Sequence, residues 1–492
     1  MRCRLSSVLV AVCPALAVSQ QPLPANLSLA DAIALARVHN PAYRQTLNDR
    51  HPTAWAVRNA AANLLVPTVT ASGGLGYAGP GQQNFLTSSF SQSVATWSTN
   101  YALQAQWTLS GETLMQPGLK RAQLHAADAD IAGAENALIT TVTTQYLTAL
   151  QARDNTGVAR RQLDVNEQAL RLAQARYDVG RASLIDVRQA QVARGQAEVA
   201  LLQAETAIQV EKLRLFQQVG VTAPVDLATV QLTDTFPVQA PSWQLPQLLA
   251  TAARQNPALQ ALRQRESAAG WGVRAAASSY APAVALSAGW SGFTQKLANV
   301  TPSLAAIDLS AAANDSSCRY ANASWRNAGQ PPLDCSVYGT AATAQKQTLL
   351  AQNGAYPFSF TPQPFQARLT ITLPLWTNFQ QPLQVSQAKA QQQDLQESVR
   401  ARALQIQTDV NQAYLTLTAA YRTIAIQDTN RTAGREALQL ATERYRVGSG
   451  TFVDLLQAQV QALRAETDYV SAVYDYHKAV AALEAAVGRP LR

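Results

Sequence analysis

The stretch Arg176–Ser183, with the sequence RYDVGRAS, returns 268 residues later as Arg444–Thr451, with the sequence RYRVGSGT. The match continues past both stretches, since Asp186 returns as Asp454 at the same spacing. Further pairs with this spacing are Tyr146 and Tyr414, Leu170 and Leu438, Gln189 and Gln457, Val192 and Val460, and Gly220 and Gly488. A repeat over this length indicates that the chain is two copies of one structural unit.

An Asn-Pro pair marks the beginning of each copy. Asn40-Pro41 and Asn256-Pro257 lie 216 residues apart, a smaller spacing than the one further along. About fifty extra residues must therefore enter the second copy, and they do so between Trp290 and Phe365. This predicts a long loop over about 293–364. The expected domains are a signal peptide over 1–19, repeat one over 20–220, a linker over 221–243 and repeat two over 244–492.

The N-terminus has the composition of a secretory signal peptide. A basic start precedes an apolar run, and Ala17 and Ser19 are placed as a small-residue cleavage site. Cys13 could instead carry a lipid anchor, but Val12 precedes it where a small residue is expected. We expect the mature chain to leave the cytoplasm.

Charge and cysteine content limit the possible classes of function further. The formal net charge of +8 does not indicate nucleic-acid binding, because the basic residues are scattered along predicted helices. Removal of the signal leaves only Cys318 and Cys335, and in an exported chain they are expected to form a disulfide that staples the long loop. The four histidines do not fall at metal-ligand spacing, so neither a metal site nor a cofactor is predicted.

Four segments alternate between apolar and polar residues. They lie at about 66–77 and 101–110 in the first copy and at about 282–292 and 365–375 in the second. No charged residue occurs between Asn59 and Gly111. Segments of about ten residues with this alternation are typical of transmembrane β-strands, with apolar side chains toward lipid. A soluble half-buried sheet is the alternative for the alternation alone.

The predicted strands require more than one chain. Four strands cannot close a membrane barrel, and an open edge in lipid leaves backbone groups unpaired. Two, three or four copies would give eight, twelve or sixteen strands, and only the larger counts leave an aqueous lumen of useful width.

Long helices follow each strand pair. Apolar residues recur at three- and four-residue spacing without an interrupting proline, and a helix from Leu119 to Val179 would be about 90 Å long. Gly180 and Gly448 are expected to end the long helices, and Ser183 and Thr451 to cap returning ones. Each copy should thus form a helical hairpin with a sharp tip.

Taken together, these motifs resemble the TolC family of outer-membrane efflux and secretion channels. The resemblance rests on the duplicated Asn-Pro starts, the strand pairs, Leu373-Pro374-Leu375, and the Arg-Tyr-x-Val-Gly tips followed six residues later by Asp. It implies an α+β membrane protein. Three chains would form a twelve-stranded transmembrane β-barrel, continued by a long periplasmic α-helical coiled-coil barrel with a mixed equatorial belt.

The resemblance also implies partners. The expected partners are outer-membrane lipid, two further copies of the chain, a periplasmic adaptor and an inner-membrane pump that chooses the substrate. By position, the adaptor would dock on Val179, Gly180, Arg181, Ala182 and Ser183 and on Val447, Gly448, Ser449, Gly450 and Thr451.

A pore gate near the tips is implied as well. Its expected residues are Asp186, Asp454, Gln189, Gln457 and Tyr445. Three Asp454 carboxylates at a closed axis would raise one another's pKa and favour cations. Asp186 and Asp454 could instead only cap helices or pair with arginines. Tyr445 and Asp186 match a locking pair of the family, but the arginine that usually supports it is Gly450 here.

Two other functions can be compared with the channel. Gly74–Gly79 fits the spacing G-x-G-x-x-G, but a Pro-Gly pair and a polar loop follow it where a nucleotide-binding helix would be needed. An enzyme is therefore not predicted. A periplasmic coiled-coil adaptor or structural protein without a pore would share the hairpins but lack the strands.

Overall fold

The computed structural model describes residues 26–85, 88–92 and 94–491. The predicted signal peptide lies outside the described residues. The chain divides into two compact units. We call the first the hairpin unit; it comprises the residues up to Thr53, Gln123–Glu266 and the residues from Asp394 onward. The second, the strand unit, comprises Ala54–Ala122 and Ser267–Gln393.

The helices repeat in length as well as in sequence. The longest are α3 and α9, each of 68 residues, and they are followed by α4 and α10, each of 36 residues. The helices of the first copy are α1 (Leu29–His39), α2 (Pro41–Leu65), α3 (Gly111–Asp178) and α4 (Leu184–Val219). Those of the second are α5 (Leu245–Gln255), α6 (Pro257–Ala277), α9 (Gln380–Val447) and α10 (Phe452–Val487). None of the described helices combines the length and the apolar character that crossing a membrane would require.

The two Asn-Pro pairs begin helices, as their residue types predict. Asn40 accepts a hydrogen bond from the Tyr43 N–H at 3.0 Å, and Asn256 accepts one from the Ala258 N–H at 3.1 Å. These bonds satisfy N–H groups that have no partner inside the helix. Both asparagines therefore act as N-caps.

The helix α3 begins eight residues earlier than predicted. Pro117 lies inside it, although proline lacks an N–H group and usually interrupts a helix. Ser110 and Thr113 cap the actual start, where the Ser110 backbone N–H donates to the Thr113 hydroxyl at 2.7 Å. Gly118 follows the proline, and a Cβ there would lie 2.7 Å from the Trp271 ring. The glycine therefore allows α3 to approach Trp271 closely.

A small mixed region lies beside the helices of the hairpin unit. The short strands β1 (Asn26–Leu27) and β6 (Gln231–Leu232) pair in parallel. The buried Lys212 on α4 donates to the carbonyl oxygens of Leu227 at 2.9 Å and Val230 at 2.7 Å. Burial lowers the pKa of the Lys212 ammonium. These bonds fix the predicted linker against α4.

Four main antiparallel strands form the sheet of the strand unit. They are β2 (Thr68–Ala78), β5 (Thr96–Leu109), β7 (Ala283–Leu297) and β9 (Gln366–Thr372). Their order is β2-β5-β7-β9, with a two-residue strand β8 (Thr361–Pro362) also on β7. The strands β3 (Gly81–Phe85) and β4 (Ser88–Gln92) form a separate hairpin between β2 and β5.

The register joins the two copies directly. Leu103 on β5 lies opposite Trp290 on β7, and Leu286 on β7 lies opposite Leu369 on β9. Strand β9 ends at Thr372, shortly before Pro374, which cannot donate to a strand ladder. In the part of the chain that the structure describes, β2 and β9 have no strand on their outer edges.

The segment predicted as a long loop over about 293–364 is mostly helical. The strand β7 continues to Leu297, and α7 (Thr301–Asn327) and α8 (Ser336–Gly354) follow it. A loop was predicted because these residues are an insertion with no equivalent in the first copy. The segment is rich in alanine, however, and alanine favours a helix. Cys318 and Cys335 form a disulfide between α7 and the start of α8.

Candidate functional site at the hairpin tips

The first tip turns within a few residues after α3. Gly180 has φ of +71°, a conformation that glycine adopts without the cost that a Cβ would add. The Arg181 N–H donates to the Arg176 carbonyl oxygen at 2.7 Å and closes the turn. Ser183 then caps α4 by accepting from the Asp186 N–H at 3.2 Å.

The second tip repeats this turn with a tighter hydrogen-bond pattern. Gly448 has φ of +85°. The Arg444 carbonyl oxygen accepts from the N–H groups of Gly448 at 3.1 Å, Ser449 at 2.9 Å and Gly450 at 3.1 Å. Thr451 caps α10, which begins at the next residue.

The two tips pack against each other within the hairpin unit. Tyr445 is buried, its ring lies 5.4 Å from that of Phe452, and both belong to one apolar cluster. The guanidinium carbon of Arg176 lies 4.5 Å from the centre of the Tyr445 ring. The other buried members of the cluster are Ala169, Ala173, Val187, Ala190 and Leu455. Residues of both copies therefore form one core at the tips.

The two aspartates assigned to the gate cap helices. The Ser183 hydroxyl donates to Asp186 at 3.0 Å, and the Thr451 hydroxyl donates to Asp454 at 2.8 Å. Asp454 also accepts from the Thr451 backbone N–H at 3.1 Å, which completes a capping box. The Thr451 hydroxyl and N–H hold the pKa of Asp454 below its usual value. In one chain, neighbouring groups thus favour the charged form of Asp454.

The expected locking pair, Tyr445 and Asp186, interacts electrostatically, but no hydrogen bond joins the two side chains. The Tyr445 hydroxyl has no hydrogen-bond partner among the described residues. Burial raises the pKa of Tyr445 first, the negative charge of Asp186 raises it further, and Arg176 opposes both. Gln189 is half-buried and Gln457 is exposed. The structure records no hydrogen bond from the side chain of either glutamine.

Apolar side chains at the tips are exposed. Val179 and Val447 occupy equivalent positions just before the two glycines. Ile185 and Val453 occupy equivalent positions in the first turn of the returning helices. Exposed apolar residues in contiguous patches often mark a binding surface for another protein. Among the expected docking residues, Ala182 and Gly450 are half-buried.

Sequence reasoning gave Arg176 no role beyond its place in the repeated motif. It has the same place in the repeated motif as Arg444, yet its guanidinium lies across Tyr445 of the other copy. Its Nη2 donates to the Arg181 carbonyl oxygen at 3.0 Å, while Nε and Nη1 are buried without a hydrogen-bond partner. The motif alone could not show which of the two arginines faces the other hairpin.

Within 26–85, 88–92 and 94–491, no group of histidine, cysteine or carboxylate side chains could hold a metal ion. The Gly74–Gly79 motif lies in and just after β2, and the strand β3 follows where a nucleotide-binding helix would be needed.

Comparison with known proteins decides the family. The family model described as outer membrane efflux protein matches residues 33–221 and 248–489, which together include both hairpins and all four main strands. The chain belongs to the outer membrane efflux protein family. It is therefore an outer-membrane protein of a channel family and not an enzyme, and the resemblance to the TolC family is confirmed.

Individual relatives of this outer membrane efflux protein are distant in sequence. It is 23% identical over 344 residues to the outer membrane efflux protein BepC of Brucella suis, and the match covers 70% of this chain. The matched region spans 61% of the length of BepC.

Solved structures share its fold over most of their length. The outer-membrane channel OprN matches with a TM-score of 0.69 at 17% identity, covering 94% of this chain and 89% of that chain. The outer membrane protein VceC of Vibrio cholerae matches with a TM-score of 0.67 at 18% identity, covering 94% and 97%. The Campylobacter jejuni CmeC outer membrane channel matches with a TM-score of 0.69 at 13% identity, covering 94% and 85%.

Proposed function

We propose that this protein is the outer-membrane channel of a tripartite efflux or type I secretion system, acting as a homotrimer. The observation that carries the proposal is the pair of open edges on β2 and β9, found in a chain of an outer-membrane family. Open strand edges in lipid would leave backbone N–H and C=O groups unpaired. Pairing β2 of each chain with β9 of the next removes every edge, and three chains give twelve strands.

Unpaired apolar seams on the helices support the same assembly. On α4, four of the seven large exposed apolar residues keep a spacing of seven or fourteen, which is the spacing of a coiled-coil contact. On α9, three of the large exposed apolar residues are eleven apart, close to three helical turns. They are Ile185, Val192, Val199 and Leu213 on α4, and Leu404, Leu415 and Ile426 on α9. In a trimer, neighbouring chains would cover these seams and continue the hairpins as a periplasmic helical barrel.

The assembly and the pore can be tested on purified protein. We expect a trimer by native mass spectrometry in detergent and discrete conductance steps in planar bilayers. A protein shown to be inserted that gives no steps would overturn the channel. A chain that leaves membranes with salt alone, without detergent, would instead fit the coiled-coil adaptor alternative.

The proposed gate consists of Asp186, Asp454, Gln189, Gln457 and Tyr445. Asp454 is exposed on the returning helix in one chain, so three chains could bring its carboxylates together at an axis. The gate would then favour cations, since carboxylates attract them and repel anions.

Neutralising the two aspartates tests the gate. We expect the double variant Asp186→Asn, Asp454→Asn to conduct in larger steps with weaker cation selectivity. A matched control is Asp164→Asn with Asp428→Asn, two exposed carboxylates elsewhere on the long helices. Steps of equal size and selectivity in all three proteins would keep the channel and discard the gate.

The tips are the proposed docking surface for the periplasmic adaptor, which would join the channel to an inner-membrane pump. The proposal is supported by the exposed Val179 and Val447, which match in the two copies. Replacing Gly180 and Gly448 with leucine should leave the trimer assembled but prevent co-purification with the adaptor.

A second variant separates docking from backbone strain. Val179→Ser with Val447→Ser removes apolar surface but does not touch the two positive-φ glycines. Co-purification with the adaptor and drug resistance at the wild-type level in both variants would remove the tips from the docking surface.

A further inference from the structure

Each copy carries a tryptophan with an arginine stacked on it near the strands. On α2, the Arg58 guanidinium carbon lies 4.8 Å from the centre of the Trp55 ring. On α6, that of Arg274 lies 4.7 Å from the centre of the Trp271 ring. Both residues of the pair recur with the 216-residue spacing of the Asn-Pro starts. The repeat has therefore kept the side chains, their helical spacing and their contact.

A second pair of basic residues recurs in the same part of the molecule. Arg121 on α3 and Lys389 on α9 are 268 residues apart, the spacing of the hairpin motifs. Both side chains are exposed. Each of the four helices that enter or leave the sheet thus contributes one repeated basic residue.

These residues lie close to the strands within the strand unit. Arg58 precedes the end of α2 by seven residues and Arg274 precedes the end of α6 by three. Arg121 and Lys389 follow the starts of α3 and α9 by ten and nine residues. At about 1.5 Å per residue, all four are within roughly 15 Å of the helix ends that face the strands.

The helix segments next to the strands are mostly basic. The helix segments of the strand unit that adjoin the four main strands, 54–65, 111–122, 267–277 and 380–393, contain Glu112 as their only acidic residue. Their basic residues are Arg58, Lys120, Arg121, Arg274 and Lys389. The strands β2 and β5 carry no charge, and β7 and β9 carry one basic residue each, Lys296 and Arg368. A basic zone therefore borders four strands that contain no acidic residue.

We propose that Arg58, Arg121, Arg274 and Lys389, with Trp55 and Trp271, form a ring that binds the phosphate groups of anionic phospholipids in the periplasmic leaflet of the outer membrane. The inference rests on the proposed function, since it requires the strands to span that membrane. Basic residues next to a membrane span attract anionic headgroups, and tryptophan prefers the headgroup level.

The repeat favours a lipid over a protein as the partner. Equivalent basic and aromatic residues occur in both copies, so a trimer would present each repeated position six times around its circumference. A partner that surrounds the channel uniformly fits this arrangement, whereas one acidic protein would contact only a sector. Trp55 is 64% exposed and Trp271 is half-buried against Gly118, so Trp55 has more surface to offer to lipid.

The test compares the wild type with a fourfold variant, Arg58→Gln, Arg121→Gln, Arg274→Gln and Lys389→Gln. Purified full-length trimer in neutral detergent is titrated with phosphatidylglycerol or phosphatidylcholine, and bound lipid is counted by native mass spectrometry. We expect the wild type to bind phosphatidylglycerol at least tenfold more tightly than phosphatidylcholine. This preference should fall as salt rises and be lost in the variant.

Two further variants make the result specific. Removing four exposed arginines of the hairpin unit, by Arg161→Gln, Arg171→Gln, Arg422→Gln and Arg464→Gln, should leave the lipid preference intact. Arg58→Lys with Arg121→Lys and Arg274→Lys keeps the charge and should retain most of the preference. Equal affinity of the wild type for both lipids, or an unchanged preference in the fourfold glutamine variant, would overturn the ring.

Bilayer conductance of the same preparations separates this inference from the proposed function. Normal conductance without a preference for anionic lipid would reject the ring and keep the channel. An absence of conductance in inserted protein that still selects phosphatidylglycerol through these residues would reject the pore and keep the ring.

Discussion

The two hairpin tips share a motif and a backbone turn but differ in packing. Tyr445 of the second tip is 2% exposed, whereas its counterpart Tyr177 of the first is 40% exposed. Phe452 begins α10 at 3% exposure, and its counterpart Leu184 begins α4 at 49%. The second tip therefore supplies the buried rings of the shared core, whereas the equivalent side chains of the first tip are exposed.

This difference shows what a duplicated sequence can and cannot determine. The local signals, a glycine followed three residues later by a hydroxyl cap and then by aspartate, produce the same turn twice. The partner of each tip is the other tip, so equivalent side chains meet different surroundings. Arg176 crosses to the second copy and stacks on Tyr445, and this contact gives the two tips unequal roles.

Truncating the two tyrosines should reveal the largest asymmetry. We expect Tyr445→Ala to destabilise the tip core by about 3 kcal/mol, because it removes a buried ring and the surface on which Arg176 stacks. Tyr177→Ala should cost less than about 0.5 kcal/mol. Amide hydrogen exchange of both tips measures the local opening free energy. Equal loss of protection in the two variants would contradict the unequal packing.

The residues two positions after the tip glycines, Ala182 and Gly450, differ in how much room the surrounding atoms leave for a Cβ. Gly450 corresponds to Ala182, and a Cβ at Gly450 would lie 3.0 Å from the Arg444 Cβ. We expect Gly450→Ala to cost about 1–2 kcal/mol in local opening, since it overpacks a tight turn. Ala182→Gly should cost about 0.5–1 kcal/mol, by a gain of freedom in the unfolded chain.

The same exchange measurement tests the glycine pair. Gly450→Ala should speed exchange at the second tip and leave the first unchanged. Wild-type protection in Gly450→Ala would mean that the second turn is not tight.

Removing the caps should produce a smaller difference. Thr451 takes part in a full capping box with Asp454, whereas the Ser183 N–H makes no such bond to Asp186. We expect Thr451→Ala to cost about 1 kcal/mol or slightly more, and Ser183→Ala to cost less. Thr451→Ser keeps the hydroxyl and should restore most of the protection. A larger loss of protection in Ser183→Ala than in Thr451→Ala would show that the capping box does not stabilise the second tip.

The parts of the fold that follow from local patterns were predictable from sequence. Glycine stops, hydroxyl caps and alternating strands act over a few residues, so both hairpins and all four strands have sequence signals. The helices α7 and α8 were missed because they belong to an insertion with no second copy for comparison. The early start of α3 was missed because Pro117 is usually a helix boundary, whereas Ser110 and Thr113 cap further upstream.

The candidate site was predictable in position but not in detail. The motif identified which residues lie at the tips. It could not distinguish Arg176 from Arg444, because burial across the two hairpins depends on residues distant in sequence. It also could not show that Asp186 and Asp454 bind cap hydroxyls in one chain, since capping and lining a pore require the same residue type at the same position.

The smallest expected difference between the tips depends on pH. The Thr451 hydroxyl and N–H hold the pKa of Asp454 below its usual value. A depressed pKa in the folded state means that the stabilisation is fully present above the unfolded pKa, near 3.9, and is lost as pH falls through the folded value. At neutral pH the second tip of the wild type should therefore be better protected from exchange than that of Asp454→Asn. This difference should disappear as pH falls below about 4.

Hydrogen exchange corrected for intrinsic rates between about pH 6 and pH 2.5 measures this change. Thr451→Ala provides the control, because without the hydroxyl the variant loses the largest cause of the lowered pKa and should show a weaker pH dependence. If the protection of the second tip instead rose as pH fell, Asp454 would be responding to other carboxylates. That outcome would favour the ring of aspartates at the gate over the cap.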